Sequence, residues 1–396
     1  MRFLTKVLII ASAVLSLVIA EEPQAYQFEN IDITHGLSLN SVSSVVKDRY
    51  GFMWFGTEEG LDRYDGVSFK TFLHDPLDSN SINSSSILSS LIDDQGDLWV
   101  GTYVSGLNKY IYETENFIHY PHDPLDSLTL GDGSITALAN DHHGFIWVGT
   151  SGAGLYRLDP ETGQSTPIDD LIADDMVVPD SVINSLFEDH QHQLWISTLA
   201  GLSVLNLESY EIKTFRYDDE NSASLFDDYV NFVYEIFDGD QYQIWVGTNW
   251  GGLDRFDPES GRFIHYGFES GINPGFPETN IVKIIQENEN RMWLGTESEG
   301  ILILDLQGRL IESIDRKVYD NTTLNDEFIQ YLYDDGDIIW VATGGGGISK
   351  FPRNRKKIYS LTYDPLEPNG LHNNRILRIR QDSKGRFWIA TWSQGV

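Results

Sequence analysis

The sequence predicts an all-β protein, a β-propeller of four-stranded antiparallel blades. Three observations predict this fold: one motif recurs eight times, its copies lie about 48 residues apart, and each copy combines short apolar runs with glycine turns. Repeats of about 40 to 50 residues that contain four short strands are typical of propeller blades. Seven blades are favoured, and eight remain an alternative because the chain carries eight copies.

A tryptophan marks each copy, and the residues around it repeat as well. A small residue follows it by two positions, a threonine by three, and an acid precedes it by six in seven copies. We expect the tryptophan to fill the core, the acid to cap amides of the hairpin turn, and the small residue to let neighbouring blades approach. The repeat residues given these structural roles are Trp54, Trp99, Trp147, Trp195, Trp245, Trp293, Trp340 and Trp388, with Asp48, Asp93, Asp141, Asp189 and Asp382. The same spacing selects Glu287 and Asp334 in copies six and seven, and Asp238 lies seven residues before its tryptophan in copy five.

These residues resemble the repeat of the two-component regulator propeller family, as residues 135–158 (ITALANDHHGFIWVGTSGAGLYRL) illustrate. Linkers such as residues 72–82 (FLHDPLDSNSI) match as well, and the resemblance covers residues 25–396. It implies the periplasmic sensing part of a large bacterial signalling protein whose output is a histidine kinase or a diguanylate cyclase. None of those output elements is present in this sequence.

The chain divides into three predicted regions. Residues 1–20 combine a basic start with a short apolar run, which is typical of a secretory signal peptide and predicts a periplasmic location. Residues 21–361 are predicted to form the seven-bladed propeller, and residues 362–396 an incomplete eighth repeat that begins a second propeller. The expectation is therefore a fragment of a longer reading frame. In an eight-bladed ring, residues 26–33 could supply one outer strand.

Composition excludes several classes of function. The 396 residues include 60 acidic and 27 basic side chains, a net charge of -33, and no cysteine. Nucleic acids and anionic membranes are disfavoured as partners, because both require a basic surface. Disulfides, thiolate metal sites and a cysteine nucleophile are excluded. Membrane attachment and dimerisation are expected only through segments that this chain lacks.

Ligand-binding residues are predicted in the loop that follows each repeated threonine, because this loop varies between copies while its surroundings do not. A small-molecule, oligosaccharide or peptide ligand is expected there, with aromatic rings for stacking and polar groups for hydrogen bonds. The candidates are Glu58, Tyr103, Asn249, Trp250 and Glu297. Ten residues before the tryptophans, small or polar residues are expected to line the channel: Ser44, Ser89, Ala137, Ser185, Lys283, Gln330 and Arg378.

No catalytic motif, cofactor or metal ligand set is identified. The histidines His142, His143, His190 and His192 fall in turns without metal-binding spacing, and Asp75 with Asp78 is explained by a turn as well as by calcium. A ligand-sensing module is therefore the favoured function. The alternatives are a secreted propeller enzyme that acts on carbohydrate and a protein-binding scaffold.

Overall fold

The computed structural model describes residues 26–123, 125–268, 270–317, 320, 322–353, 375–382 and 386–392. The predicted signal peptide, residues 1–20, lies outside these residues, as does the linker at 363–371. Seven four-stranded antiparallel sheets form the blades, so the predicted seven-bladed propeller is confirmed. In the described part of the chain, the helices are three single 3-10 turns, Ile33–His35, Ile168–Asp170 and Asn249–Gly251. None of the described helices has the length and apolar character needed to span a membrane.

Strands follow the chain in order, and the first strand of each blade lines the central channel. The N-terminal strand is β1 (Glu29–Ile31). Blade one contains β2 (Val42–Lys47), β3 (Met53–Thr57), β4 (Gly60–Tyr64) and β5 (Phe69–Phe72). Blade two contains β6 (Ile87–Ile92), β7 (Leu98–Thr102), β8 (Leu107–Ile111) and β9 (Asn116–Tyr120). Blade three contains β10 (Ile135–Asn140), β11 (Ile146–Thr150), β12 (Leu155–Leu158) and β13 (Ser165–Pro167).

The remaining blades repeat this order. Blade four contains β14 (Ile183–Glu188), β15 (Gln193–Thr198), β16 (Gly201–Asn206) and β17 (Ile212–Phe215). Blade five contains β18 (Val230–Phe237), β19 (Tyr242–Thr248), β20 (Leu253–Asp257) and β21 (Arg262–His265). Blade six contains β22 (Ile281–Asn288), β23 (Arg291–Thr296), β24 (Ile301–Asp305) and β25 (Leu310–Ile314). Blade seven contains β26 (Ile329–Asp334), β27 (Ile338–Thr343) and β28 (Ile348–Pro352).

Strand β1 closes the ring as the fourth strand of blade seven. It pairs antiparallel with β28, and the Ser349 hydroxyl donates to the Asn30 side chain at 2.6 Å across this pair. Tyr26 and Phe28 pack beside it against Trp293 and Phe351. The N-terminal segment thus completes the seventh blade, in place of the optional outer strand of an eighth blade that the sequence suggested. Closure covers a sheet edge that would otherwise stay unpaired.

The repeated acid and tryptophan form one hydrogen-bonded turn. In blade three, Asp141 Oδ1 accepts from the backbone amides of His143 and Phe145, each at 3.0 Å, and Oδ2 accepts from Trp147 Nε1 at 2.8 Å. The ring of Trp147 is fully buried. One carboxylate therefore orders the hairpin and satisfies the indole N–H in the core. Equivalent bonds to the indole N–H come from Asp48 (2.8 Å), Asp93 (2.7 Å) and Asp189 (2.8 Å).

Three blades depart from this turn. In blade six Glu287 replaces the aspartate and reaches Trp293 at 3.0 Å. In blade seven the hairpin is one residue shorter, so Asp335, and not the Asp334 selected by spacing, accepts from Trp340 at 3.0 Å. In blade five the carboxylate of Asp238 accepts from Gln243 instead, and the buried indole N–H of Trp245 has no partner among the described residues.

Neighbouring blades meet where the small residue after the tryptophan faces the first strand of the next blade. A Cβ on Gly101 would lie 2.7 Å from Ile135 Cγ2, closer than real Cβ contacts. Where the small residue is larger than glycine, the residue that faces it is smaller than isoleucine. Five junctions pair glycine with isoleucine: Gly56–Ile87, Gly101–Ile135, Gly149–Ile183, Gly247–Ile281 and Gly295–Ile329. At the equivalent positions of the other two junctions, Ser197 and Ala342 occur with the smaller Val230 and Val42.

Residues 353–396 form a second compact unit, distinct from residues 1–352. Its described strands, β29 (Ile376–Gln381) and β30 (Phe387–Thr391), pair as an antiparallel hairpin. Asp382 Oδ2 accepts from Trp388 Nε1 at 3.1 Å, as in the blades, but this tryptophan is 50% exposed. The predicted boundaries at residues 20, 361 and 396 stay predictions.

Steric fit at the junctions predicts coupled mutational effects. We expect Gly101→Ala to lower the free energy of unfolding by about 1–3 kcal/mol, because the added methyl group meets Ile135 Cγ2 and the Ser89 hydroxyl. Ile135→Ala alone should cost about 2–5 kcal/mol, because it leaves a cavity. It also removes the Cγ2 atom that the new methyl group would meet, so the double variant should be more stable than the sum of the single effects predicts, as measured by denaturant unfolding. Strict additivity would contradict the proposed fit.

Candidate ligand site at the channel and its mouth

The variable loops lie together at one end of the ring. Strand β6 begins where β7 ends, since Ile87 pairs with Thr102, so the loop after each threonine lies beside the start of a channel-lining strand. The Thr102 hydroxyl donates to the Gly106 carbonyl at 2.8 Å, which closes this loop. The same bond recurs in every blade except blade five. The loops therefore frame the mouth of the channel.

All five predicted ligand-binding residues lie on these loops, in two separate groups. Glu58 and Tyr103 belong to blades one and two, and the ring of Tyr103 is 57% exposed. Asn249, Trp250 and Glu297 belong to blades five and six. In the second group, hydrogen bonds through Asn280 connect Trp250 with Glu297, and Asn249 bonds separately to Asn231.

Blades five and six share this polar network. The backbone N–H of Trp250 donates to Asn280 Oδ1 at 2.9 Å, and Asn280 Nδ2 donates to the carboxylate of Glu297. Asn249 Oδ1 accepts from Asn231 Nδ2 at 3.1 Å, and Asn231 lines the channel. The bond between Asn249 and Asn231 thus links this loop with the channel wall.

Trp250 is held in an unusual conformation. Its φ of 58° and ψ of 30° lie in the left-handed region, where a residue with a bulky side chain costs about 1–3 kcal/mol. The ring is nevertheless 63% exposed. A strained backbone that projects a large aromatic ring into solvent is characteristic of binding sites, since packing in the core does not account for it.

A cavity of about 210 Å³ lies in the central channel. Most of its wall consists of hydroxyl, amide and small apolar side chains of the first strands. Among the described residues that line it, Lys283 is the only cation, and no aspartate or glutamate is present. The polar side chains of the wall are Ser43, Ser44, Ser89, Ser90, Thr136, Asn184, Ser185, Asn231, Gln330, Tyr331 and Lys283.

Lys283 lies between two aromatic rings. Its Nζ is 3.8 Å from the ring centre of Phe232 and 4.4 Å from that of Tyr331, which are cation–π distances. No carboxylate neutralises the ammonium group among the described lining residues. Burial lowers the pKa of Lys283 from 10.5 to about 7 and raises the pKa of Tyr331 to about 12, so the phenol stays neutral.

The predicted channel residues of the propeller line the cavity: Ser44, Ser89, Ala137, Ser185, Lys283 and Gln330. Strand register shifts the equivalent position in two blades. Lys283 pairs with Gly295 as expected, but Tyr331, and not Gln330, faces Ala342, because the hairpin of blade seven is one residue shorter. Phe232 takes the same position in blade five, where the hairpin is longer. Fixed spacing from the tryptophan therefore missed both rings that contact the lysine. Arg378 lies in the second unit, paired with Ala390.

Two hydroxyl groups of the channel wall also lack partners. Ser44 Oγ and Ser90 Oγ are buried and make no hydrogen bond within the described protein. By contrast, the neighbouring Ser89 hydroxyl donates to the Ile135 carbonyl at 2.9 Å. A buried hydroxyl without a partner costs about 1–3 kcal/mol unless water or a ligand satisfies it. These two oxygens have almost no accessible surface, so the ammonium group of Lys283 is the charged donor that the cavity offers.

Comparisons with known proteins agree with this architecture. The model of the two-component regulator propeller family matches residues 36–59, 81–104, 129–152, 178–200 and 370–393. Each of the first four segments spans the residues before a first strand, the first and second strands, and the start of the variable loop. Histidine kinase P4 of Formosa agariphila is 30% identical over 186 residues, which cover 44% of this chain and 13% of the kinase.

Solved structures show the same fold. One chain, described as the extracellular domain of a hybrid two-component system of B. thetaiotaomicron, has a TM-score of 0.69 and 27% identity. The match covers 93% of this chain and 53% of that one, so this chain spans about half of the relative's length. Virginiamycin B lyase of Staphylococcus aureus has a TM-score of 0.59 at 13% identity, covering 82% of this chain and 98% of the lyase. That likeness concerns the fold alone.

The unpaired lysine predicts a pH-dependent stability difference. We expect Lys283→Met to raise the free energy of unfolding at pH 7 by about 1–4 kcal/mol, because an apolar side chain replaces an uncompensated charge. The folded-state pKa lies below the unfolded value, so the unfolded chain binds more protons between pH 7 and pH 10. The wild-type protein should therefore gain stability relative to the variant from pH 7 to pH 9. Denaturant unfolding at both pH values measures this, and a constant difference would contradict it.

Proposed function

Because this chain carries the repeat of the two-component regulator propeller family, we propose that it is the ligand-sensing part of an exported bacterial signalling protein. We propose further that its ligand presents an anionic group to Lys283 within the channel. The relatives support the sensing role, since one is a histidine kinase and another is an extracellular domain of a hybrid two-component system. A histidine kinase output is accordingly favoured over a diguanylate cyclase.

The contrast between the channel and the rest of the protein carries this proposal. The chain has 60 acidic and 27 basic residues, yet a single lysine and no carboxylate appear among the described residues that line the cavity. A buried ammonium group without a counter-ion reduces stability. An anionic ligand would supply the missing charge.

Cavity size restricts what can enter. About 210 Å³ holds roughly seven water molecules, which is less than the volume of a typical small-molecule site. Only a small head group or a single ring fits, so the remainder of the ligand must lie at the mouth. There Trp250 offers a stacking surface, and Asn249 and Glu297 offer hydrogen bonds. An acidic oligosaccharide or a peptide carboxylate meets both conditions.

We propose a binding role without catalysis for this chain. Lys283 is accompanied in the cavity by hydroxyl and amide groups, and no acid that could serve as a general acid or base lines the described wall. The lyase that shares this fold does not change this proposal, because a likeness at 13% identity does not extend to the site.

Binding of matched ligands tests the proposal. Isothermal titration should show that a disaccharide ending in glucuronate binds at least about tenfold more tightly than the same disaccharide ending in glucose. A second pair, an acetylated dipeptide and its C-terminal amide, tests the peptide carboxylate in the same way. Discrimination within either pair supports the anion site and identifies the ligand class. A lack of discrimination in both pairs would overturn it.

Variants locate the two parts of the site. Lys283→Met should abolish the discrimination between charged and neutral ligands, whereas Trp250→Ala should weaken both members of the preferred pair. Tyr103→Ala serves as the matched control, because its ring is similarly exposed but lies in blade two. Unchanged affinity in Lys283→Met would refute the role of the channel, and unchanged affinity in Trp250→Ala would refute the role of the mouth.

Binding should also depend on pH in one direction. The ammonium form of Lys283 predominates below its pKa of about 7, so affinity for the glucuronate ligand should be about tenfold higher at pH 6 than at pH 8. The neutral ligand and the Lys283→Met variant should lack this dependence. Affinity that rises with pH would contradict the assignment.

A further inference from the structure

A cluster of histidines lies at the end of the ring opposite the channel mouth, in the hairpin turns between first and second strands. His142 is in the turn between β10 and β11, and His192 in the turn between β14 and β15. Glu188 ends β14, and Glu208 follows β16. Blades three and four therefore bring together residues that are up to 66 positions apart in the chain. This cluster is independent of the proposed ligand site.

The cluster is organised around His142. Its Nδ1 lies 2.6 Å from Glu188 Oε1, and the same oxygen lies 2.9 Å from His192 Nδ1. These three atoms lie within 4.8 Å of one another. The other oxygen of Glu188 accepts from the backbone N–H of His142 at 3.0 Å, which fixes the carboxylate in place. Two imidazole nitrogens thus converge on one anchored carboxylate oxygen, and the Glu188 side chain is only 14% exposed.

The carboxylate of Glu208 contacts the other ring nitrogen of His142. His142 Nε2 lies 3.1 Å from Glu208 Oε1, so this nitrogen can donate its hydrogen while Nδ1 stays available. Histidines that bind metal ions usually donate the hydrogen of their other ring nitrogen to a carboxylate or carbonyl. His142 and Glu208 have the geometry of such a donor and its carboxylate acceptor.

His192 departs from the repeat at a position where the repeat uses glycine. Gly51, Gly96 and Gly144 have φ values of 89°, 79° and 87° at the third position after the acid. His192 occupies the same position in blade four with φ 59°. Its backbone N–H donates to the backbone carbonyl of Asp189, and each glycine N–H donates in the same way to the backbone carbonyl of the acid in its own blade. A non-glycine residue is strained there. The strained residue is the one that completes the cluster.

We propose that His142, His192 and Glu188 bind a divalent transition-metal ion, with zinc as the representative ion. Imidazole nitrogen and carboxylate oxygen are the donors such ions prefer, whereas calcium and magnesium prefer oxygen alone. Bonds of about 2.0–2.2 Å to zinc place the donor atoms roughly 3.3 Å apart, so each nitrogen must move away from Glu188 Oε1 by less than about 1 Å. The exposed His192 side chain can make this adjustment. Water completes the coordination.

Zinc titration of the tag-free, chelator-treated protein tests this proposal. Isothermal titration should show one zinc ion per chain, bound in the micromolar range or tighter. His192→Gly restores the residue that the repeat uses at this position, so it should fold with equal or higher thermal stability. Its affinity for zinc should nevertheless fall by at least about tenfold.

A neighbouring pair supplies the control. His190 Nδ1 lies 2.6 Å from Glu235 Oε1 and its ring stacks on Tyr242, but among the described residues His190 belongs to neither group of converging metal-ligand atoms. His190→Ala should therefore leave zinc affinity unchanged. No binding up to about 0.1 mM zinc, or wild-type affinity in His192→Gly, would overturn the proposal. Equal loss in His190→Ala and His192→Gly would also overturn it, because it would indicate non-specific surface binding.

Discussion

The contact between a small residue of one blade and a β-branched residue of the next determines the rest of the structure. Five of the seven junctions pair glycine with isoleucine, and these Cβ-free glycines bring the first strands close enough to enclose a cavity of about 210 Å³. The Asp–Trp hairpin acts within each blade, whereas this contact acts between blades. Strand β1 then closes the seventh blade. A ring of this geometry leaves room at its axis for one small group.

Within that frame, several residues reduce stability. Lys283 has no counter-ion among the described lining residues, and the rings of Phe232 and Tyr331 offset this only in part. Trp250 and His192 adopt left-handed conformations. A residue that departs from the repeat and also reduces stability indicates a functional site. Lys283 and Trp250 belong to the proposed ligand site, and His192 belongs to the proposed metal site on the opposite end.

The repeat made most of the fold predictable from sequence, because eight copies of one motif report the same blade. The sequence did not predict that residues 29–31 complete the seventh blade, because a three-residue strand carries little periodic signal. The candidate site was only partly predictable. Lys283 followed from its spacing to Trp293, but Phe232 and Tyr331 did not, because hairpins of unequal length shift the register. The histidine cluster escaped detection because its members come from two blades.

Direct titration of Lys283 tests the central claim that the channel holds an uncompensated ammonium group for an anionic ligand. NMR of lysine labelled at its terminal carbon, with the signal assigned by its loss in Lys283→Met, reports the pKa of this one side chain. We predict a midpoint near pH 7 in the free protein and an upward shift when the glucuronate ligand binds. A midpoint near the ordinary value of 10.5, or a midpoint that the ligand leaves unchanged, would contradict the account.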